Sequence, residues 1–204
     1  MFGGIDLNRG DQTKAKIVEV VMKIIARDGF KDLTTRKICE EAGIAKGTLY
    51  HHFENMDNVV AESIRFMHDQ ALAYFENKDF GTLEEFFYTL GDVSMSIVIE
   101  QKENGRRLVS FFDETVSNPL LYDLQRQTLK DWHDLICRKI QFYTEEEISD
   151  EVLKEIGTTL YIVVAGFKLV LYFEDDVEMI KSLWKKHSKI LASHVGEDKW
   201  RKWK

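Results

Sequence analysis

Lys46, Thr48, Tyr50 and His51 bring an ammonium, a hydroxyl, a phenol and an imidazole together in six residues, and His52 adds a second imidazole. At helical spacing such groups share one side, where they can hydrogen-bond phosphate oxygens and base edges. Thr35, Arg36 and Lys37 stand a short distance upstream with more donors. Two other constellations are weaker. His133 and Cys137 lie at i,i+4, a spacing that presents two ligands to one metal, but Asp134 falls on another face, so a core thiol beside a polar histidine is the better reading. Asp113-Glu114 is a pair of neighbouring carboxylates in an acidic chain. No Ser-His-Asp signature, phosphate-cradling glycine loop or HExxH motif occurs, so the sequence predicts no catalysis, no cofactor and no metal site.

The elements that must position the first group are two short helices around a glycine. Thr34 or Thr35 caps a helix running through Arg36 to Glu41 by accepting a backbone N–H. Gly43 falls where a tight interhelical turn needs a left-handed backbone, which glycine adopts at little cost. Ala45 to Phe53 then restarts as a helix, and Gly47 leaves its outer side free for close approach. Residues 34–53 thus have the layout of a helix-turn-helix whose second helix enters a DNA major groove. A preceding helix, from Gln12 or Thr13 to Asp28-Gly29, sets Ile17, Val20, Val21, Ile24 and Ile25 on one face. With Phe30, Leu33, Ile38, Leu49 and Phe53 they form the expected core of this unit.

The segment Ala42-Gly43-Ile44-Ala45-Lys46-Gly47-Thr48-Leu49-Tyr50-His51-His52-Phe53 resembles the recognition segment of the tetracycline-repressor (TetR) family. The likeness extends back to Lys14 and forward to about Ser63. It implies an all-α, homodimeric, ligand-responsive transcriptional regulator that binds a double-stranded DNA operator. It also implies that Tyr50 and His52 contact backbone phosphates, which position the helix without reading sequence. Lys46, Thr48 and His51 face the groove, and Arg36 and Lys37 are placed for phosphate, with Lys14 and Lys16 at the N-terminal edge. Two positions depart from the pattern: Ala45 stands where a hydroxyl residue is common, and Met56 where a lysine often pairs with phosphate. Both changes weaken the salt-dependent part of DNA affinity.

Charge supports a division of labour. The chain has 204 residues and a net charge of −7, yet residues 1–55 hold nine Lys/Arg against eight Asp/Glu, a net of +1, which leaves −8 for the remainder. Residues 1–55 are therefore expected to be the DNA-binding domain, and residues 56–204 a larger effector-binding and dimerisation domain. The longest apolar stretch, residues 160–173, is 14 residues long and interrupted by Lys168, too short to span a bilayer. With no leader-like N-terminus and only Cys39 and Cys137, the expected location is the cytoplasm, with no membrane partner.

Downstream, cap residues and breaks predict helices over 57–77, 83–102 and 106–116. Another is opened by Ser117-Asn118-Pro119 and runs to about 143; the last two cover 150–174 and 176–195, for about nine helices in all. Phe86, Met95, Phe111, Phe112, Trp132, His133, Tyr161 and Phe167 are spread over four of these helices and are the candidate lining of a pocket for a small-molecule effector of unknown identity. The same residues suit a closed core, which leaves a constitutive dimeric DNA-binding protein as the alternative. The expected homodimer interface pairs the last two helices through Ala165, Gly166, Ile180, Leu183, Trp184, His187 and Ile190. The tail, residues 196–204, is basic and carries Trp200 and Trp203.

Overall fold

Short polar residues at helix starts and glycines at helix ends punctuate this chain. The computed structural model describes residues 9–100, 113–145 and 147–195. Among the described residues there is no strand, and nine helical elements are bounded. They are α1 (Arg9–Asp28), a 3₁₀ turn (Phe30–Asp32), α2 (Thr35–Ala42), α3 (Lys46–His52), α4 (Met56–Asn77), α5 (Leu83–Glu100), α6 (Pro119–Tyr143), α7 (Asp150–Leu171) and α8 (Val177–His194). Residues 113–117 are also helical, the described part of the helix expected over 106–116. Phe111, Phe112 and the tail with Trp200 and Trp203 lie outside the described residues.

Side-chain caps account for most of the starts. Thr34, rather than Thr35, accepts the Lys37 N–H at 3.3 Å. Asn55 accepts from Asn58 at 2.9 Å, Thr82 from Glu85 at 3.1 Å, Asn118 from Leu120 at 3.0 Å and Asp176 from Met179 at 2.8 Å. Ser149 occupies the cap position of α7 but makes no capping bond. The first turn of α7 instead carries Asp150 and Glu151, which suit the positive end of the helix dipole. That helix stops at Leu171, short of 174, where Phe173 and Glu174 both turn back onto the Val170 carbonyl. At the other end of the chain α1 starts at Arg9, earlier than expected.

The chain packs as two compact units: Met1–Tyr74 with Asn104–Leu129, and Phe75–Glu103 with Lys130–Lys204. In the first, Ile17, Val18, Val21, Ile24 and Ile25 of α1 form one buried core with Ile38 of α2, Leu49 of α3, Phe53 and Val59. This is the amphipathic pattern of the sequence realised almost residue for residue. Beside it, Val60 and Ala61 of α4 pack on Leu121 and Leu124 of α6.

In the second unit α5 is sandwiched against α7 and α8. The tightest point is Trp184, fully buried, whose indole lies on the backbone of Gly91 and donates to the Tyr88 carbonyl at 2.9 Å. A Cβ at position 91 would sit 2.0 Å from Trp184 Cε2, so only glycine admits this ring. Phe75, Phe80, Phe86 and Phe87 make a contiguous aromatic cluster. The C-terminal end of α4 is held by α6: Lys139 Nζ donates to the Glu76 and Lys78 carbonyls at 2.8 and 3.3 Å. Tyr143 Oη accepts the Phe80 N–H at 2.8 Å and donates to Asp79 at 3.2 Å.

Candidate nucleic-acid interface

The turn that sets α3 against α2 is built as the sequence requires. Gly43 has φ 64° and ψ 40°, the left-handed conformation, and its N–H returns to the Cys39 and Glu40 carbonyls while Ile44 N donates to Cys39 O at 3.0 Å. α3 begins after Ala45, which makes no side-chain cap but receives the Thr48 and Leu49 N–H groups on its carbonyl. Leu49 and Phe53 are buried and fasten the inner side of α3 to the core. What remains faces outward: Lys46, Gly47, Tyr50 and His51 are exposed, and Thr48 and His52 half-buried.

Tyr50 is the organising side chain of this face. Its hydroxyl lies 3.0 Å from Thr35 Oγ1, so the phenol ties α3 to the first turn of α2. Lys46 Nζ stands over the Tyr50 ring, 5.8 Å from its centroid. Thr35, Arg36, Cys39, Glu40, Ile44 and Lys46 line a shallow open groove beside these contacts. A side chain added at Gly47 would meet nothing within 4 Å, so the fold itself does not demand glycine there.

Four further cations of the unit are engaged within it. Lys37 pairs with Asp28 at 2.8 Å, Arg27 bridges Asp28 and Glu41 at 2.6 Å each, and Lys23 pairs with Glu19 at 2.6 Å. Lys14 pairs with Glu62 and overlies the Phe53 ring. The Arg27 guanidinium and the Lys37 ammonium hold the Asp28 carboxyl well below the usual carboxylate range. Lys37, expected to reach phosphate, is thus directed at the end of α1. Arg36 is highly exposed, with only a loose 3.8 Å approach to Glu40, and Lys16 is exposed.

The residues proposed for a pocket do not form one set. Phe86 is fully buried in the Phe75–Phe80–Phe87 cluster, and Trp132 joins it edge-on to Phe75 at 5.5 Å. Met95 is buried. Phe167 turns instead to Trp184 and His187, at 5.4 and 5.5 Å. His133 lies against Cys137 and 3.4 Å from the Lys154 carbonyl, packed on Gly157 of α7. Burial pushes the Cys137 thiol up, the opposite of what a metal ligand or nucleophile needs. Among the described residues no group of three His, Cys, Asp or Glu could hold a metal. Tyr161 is exposed. Of the expected interface residues, Ala165, Gly166, His187 and Ile190 are exposed and Leu183 is half-buried. Ile180 and Trp184 are interior to the chain and back this surface rather than form it. Sequence reasoning missed Gly91, Lys139 and Tyr143, whose partners lie far away in the chain; within the apolar stretch 160–173, Ile162, Leu169 and Val170 of α7 and Phe173 just beyond its end are exposed.

The arrangement of α1, α2 and α3 matches a known family. The model of bacterial regulatory proteins of the tetR family matches residues 17–62, the stretch from the core of α1 to the start of α4. The transcriptional regulator UidR of Escherichia coli K12 is 32% identical over 151 residues, covering 72% of this chain and 73% of UidR. The chain belongs to the TetR family of transcriptional regulators. Its relatives are regulators and not enzymes. The fold agrees over nearly the whole length: a transcriptional regulator from Pseudomonas aeruginosa PAO1 superposes with a TM-score of 0.73 at 17% identity, covering 98% of this chain and 97% of that one. A regulator from Saccharomonospora viridis, solved in complex with choline, gives a TM-score of 0.66 at 17% identity, over 90% and 97% of the two chains. Among the described residues no helix is long and apolar enough to cross a membrane.

Proposed function

We propose that this regulator is a repressor that binds a palindromic operator as a homodimer and is released by a small molecule. Residues 1–55 would be its DNA-binding domain and residues 56–204 its effector-binding and dimerisation domain. The observation that carries the reading is the outward face of α3. Lys46, Gly47, Tyr50 and His51 are exposed while Leu49 and Phe53 anchor the helix from behind. In this reading Lys46, Thr48 and His51 meet base edges, and Tyr50, His52, Thr35 and Arg36 meet phosphate. Dimerisation is supported by α7 and its C-terminal turn, where Ile162, Leu169, Val170 and Phe173 accompany Ala165 and Gly166 as exposed residues, with Ile190 exposed on α8. The choline complex of the S. viridis regulator supports a small-molecule effector for this fold.

The test is fluorescence anisotropy on DNA from upstream of the protein's own gene and on a scrambled control. Lys46→Ala is expected to cost about 1–3 kcal/mol on the cognate site alone, and Tyr50→Phe to weaken both DNAs alike. Wild-type affinity in both variants sinks the assignment of α3. A second reading, a regulator with no effector, is favoured by the fully buried packing of Phe86, Phe87 and Met95. A thermal-shift screen separates the two, because a true effector raises stability by mass action.

A further inference from the structure

Among the bounded helices α8 is the most positive. Its 18 residues carry Lys181, Lys185, Lys186 and Lys189 against Glu178, a net of +3 in a chain of net −7. The helix-turn-helix unit, residues 1–55, has a net of only +1, and it holds Ala45 and Met56 at the two positions that depart from the family's phosphate-contacting pattern. At about 100° per residue, Lys181, Lys185 and Lys189 form a row on one flank of the buried stripe Ile180, Trp184 and Ser188. Successive members stand about 6 Å apart along the axis, so the row spans about 12 Å. Leu183, His187 and Ile190, expected to face a second copy of the chain, occupy the opposite flank. Lys185, Lys186 and Lys189 are exposed and Lys181 is half-buried. Among the described residues no ion pair or side-chain hydrogen bond engages any of the four. Ser182 and Ser193 are exposed between the row and Lys186, and no large apolar side chain is exposed on this flank. The chemistry of the flank selects its partner. A helix that lies on a bilayer inserts an apolar face, and the core of a protein interface is rich in aromatics and poor in lysine. Bare ammonium groups strung along an open flank suit an extended polyanion in water, each meeting one phosphate as a point charge.

We propose that the lysine flank of α8 is a second, sequence-independent contact surface for the phosphate backbone of double-stranded DNA, additional to the helix-turn-helix. Lys181, Lys185 and Lys189 neutralise backbone phosphates and read no base, so the flank adds affinity for any duplex and none for the operator in particular. It supplies the positive charge that the reading unit lacks. A dimer formed through the opposite flank of α8 leaves the row free for this contact.

The experiment is anisotropy of the full-length protein on a scrambled duplex over about 50–200 mM potassium chloride, where phosphate contacts dominate the salt response. The double variant Lys185→Gln, Lys189→Gln should weaken binding at least tenfold at the lowest salt. It should also make the slope of log affinity against log salt shallower by about 1.8 for each protomer that touches the duplex. Charge reversal, Lys185→Glu with Lys189→Glu, should weaken binding further. The control removes the same charge elsewhere, through Lys130→Gln and Lys154→Gln at exposed positions of α6 and α7, and should shift affinity less than threefold. Both α8 variants matching the control in slope and affinity overturns the proposal. Loss of the oligomeric state in both, followed by sedimentation, overturns it by assigning the flank to assembly. Flotation with phosphatidylglycerol vesicles is the remaining arm: α8 variants that lose vesicle binding and keep the DNA slope overturn it in favour of a bilayer. The role of α3 is tested separately by Lys46→Ala on cognate DNA, so either assignment can fail alone.

Discussion

The sorting of cations in the helix-turn-helix unit into engaged and free makes a quantitative statement about salt. Lys37 is tied to Asp28 at 2.8 Å and Asp28 is itself clamped by Arg27, whereas among the described residues Lys46 meets only the face of Tyr50 and Arg36 only a distant Glu40. Each phosphate neutralised by a protein cation contributes about −0.9 to the slope of log affinity against log salt. In a dimer every substitution counts twice, so removing a cation that contacts phosphate should make the slope shallower by about 1.8. Lys46→Gln is expected to lose that amount if Lys46 reaches phosphate. If it reads a base edge instead, cognate binding weakens and the slope on scrambled DNA changes little. Arg36→Gln should lose the full amount on both DNAs. Lys37→Gln should leave the slope unchanged, because its charge is already neutralised within the fold. Anisotropy titrations over a tenfold range of potassium chloride give all the slopes. A Lys37→Gln slope as shallow as that of Arg36→Gln would refute the reasoning, since the Asp28 pair would then have to open on DNA.

Gly47→Ala should raise stability by about 0.5–1 kcal/mol, since α3 leaves open space for the methyl group, yet weaken DNA binding if close approach requires glycine; paired denaturation and binding measurements read the two signs. Gly91→Ala should destabilise by several kcal/mol, about the cost of losing the buried Trp184, because the new Cβ would lie 2.0 Å from the ring; a change under about 1 kcal/mol in urea denaturation refutes that packing. Leu183→Asp and Ala165→Glu should yield folded monomers that bind the operator poorly, and sedimentation showing intact dimers in both, or a wild-type monomer, rejects the α7–α8 interface. Asp28→Asn tests linkage: the Asp28 carboxyl is depressed in the fold, so its contribution is complete at neutral pH and is lost as pH falls through its folded value. Wild type and variant should therefore differ at pH 7, and the difference should begin to shrink only below about pH 4, the unfolded carboxyl's range, in urea denaturation.

What the sequence revealed and what it concealed divide along a physical line. The interior of the first unit was legible because Ile17, Val21, Ile24, Ile38, Leu49 and Phe53 sit within one short stretch, and Gly43 can be placed by conformation alone. Periodicity says which residues share a helix face, but not what covers that face. Ile180 and Trp184 fall at the same helical spacing as Ile190 and were read as interface, yet they are interior because α5 offers Gly91 to the indole ninety-three residues earlier in the chain. Phe167 likewise follows Trp184 and not Phe86. Lys37 looked like a phosphate ligand because its partner Asp28 lies across the 3₁₀ turn, outside any local pattern. In each case the missing information was a partner from another helix. Local chemistry therefore places the helix-turn-helix well, while a dimer interface or an effector site would depend on long-range packing. Lys168 joins the two sides: its interruption of the 160–173 apolar stretch is visible in sequence, but the burial that pushes its ammonium below the usual lysine range is visible only in the folded chain.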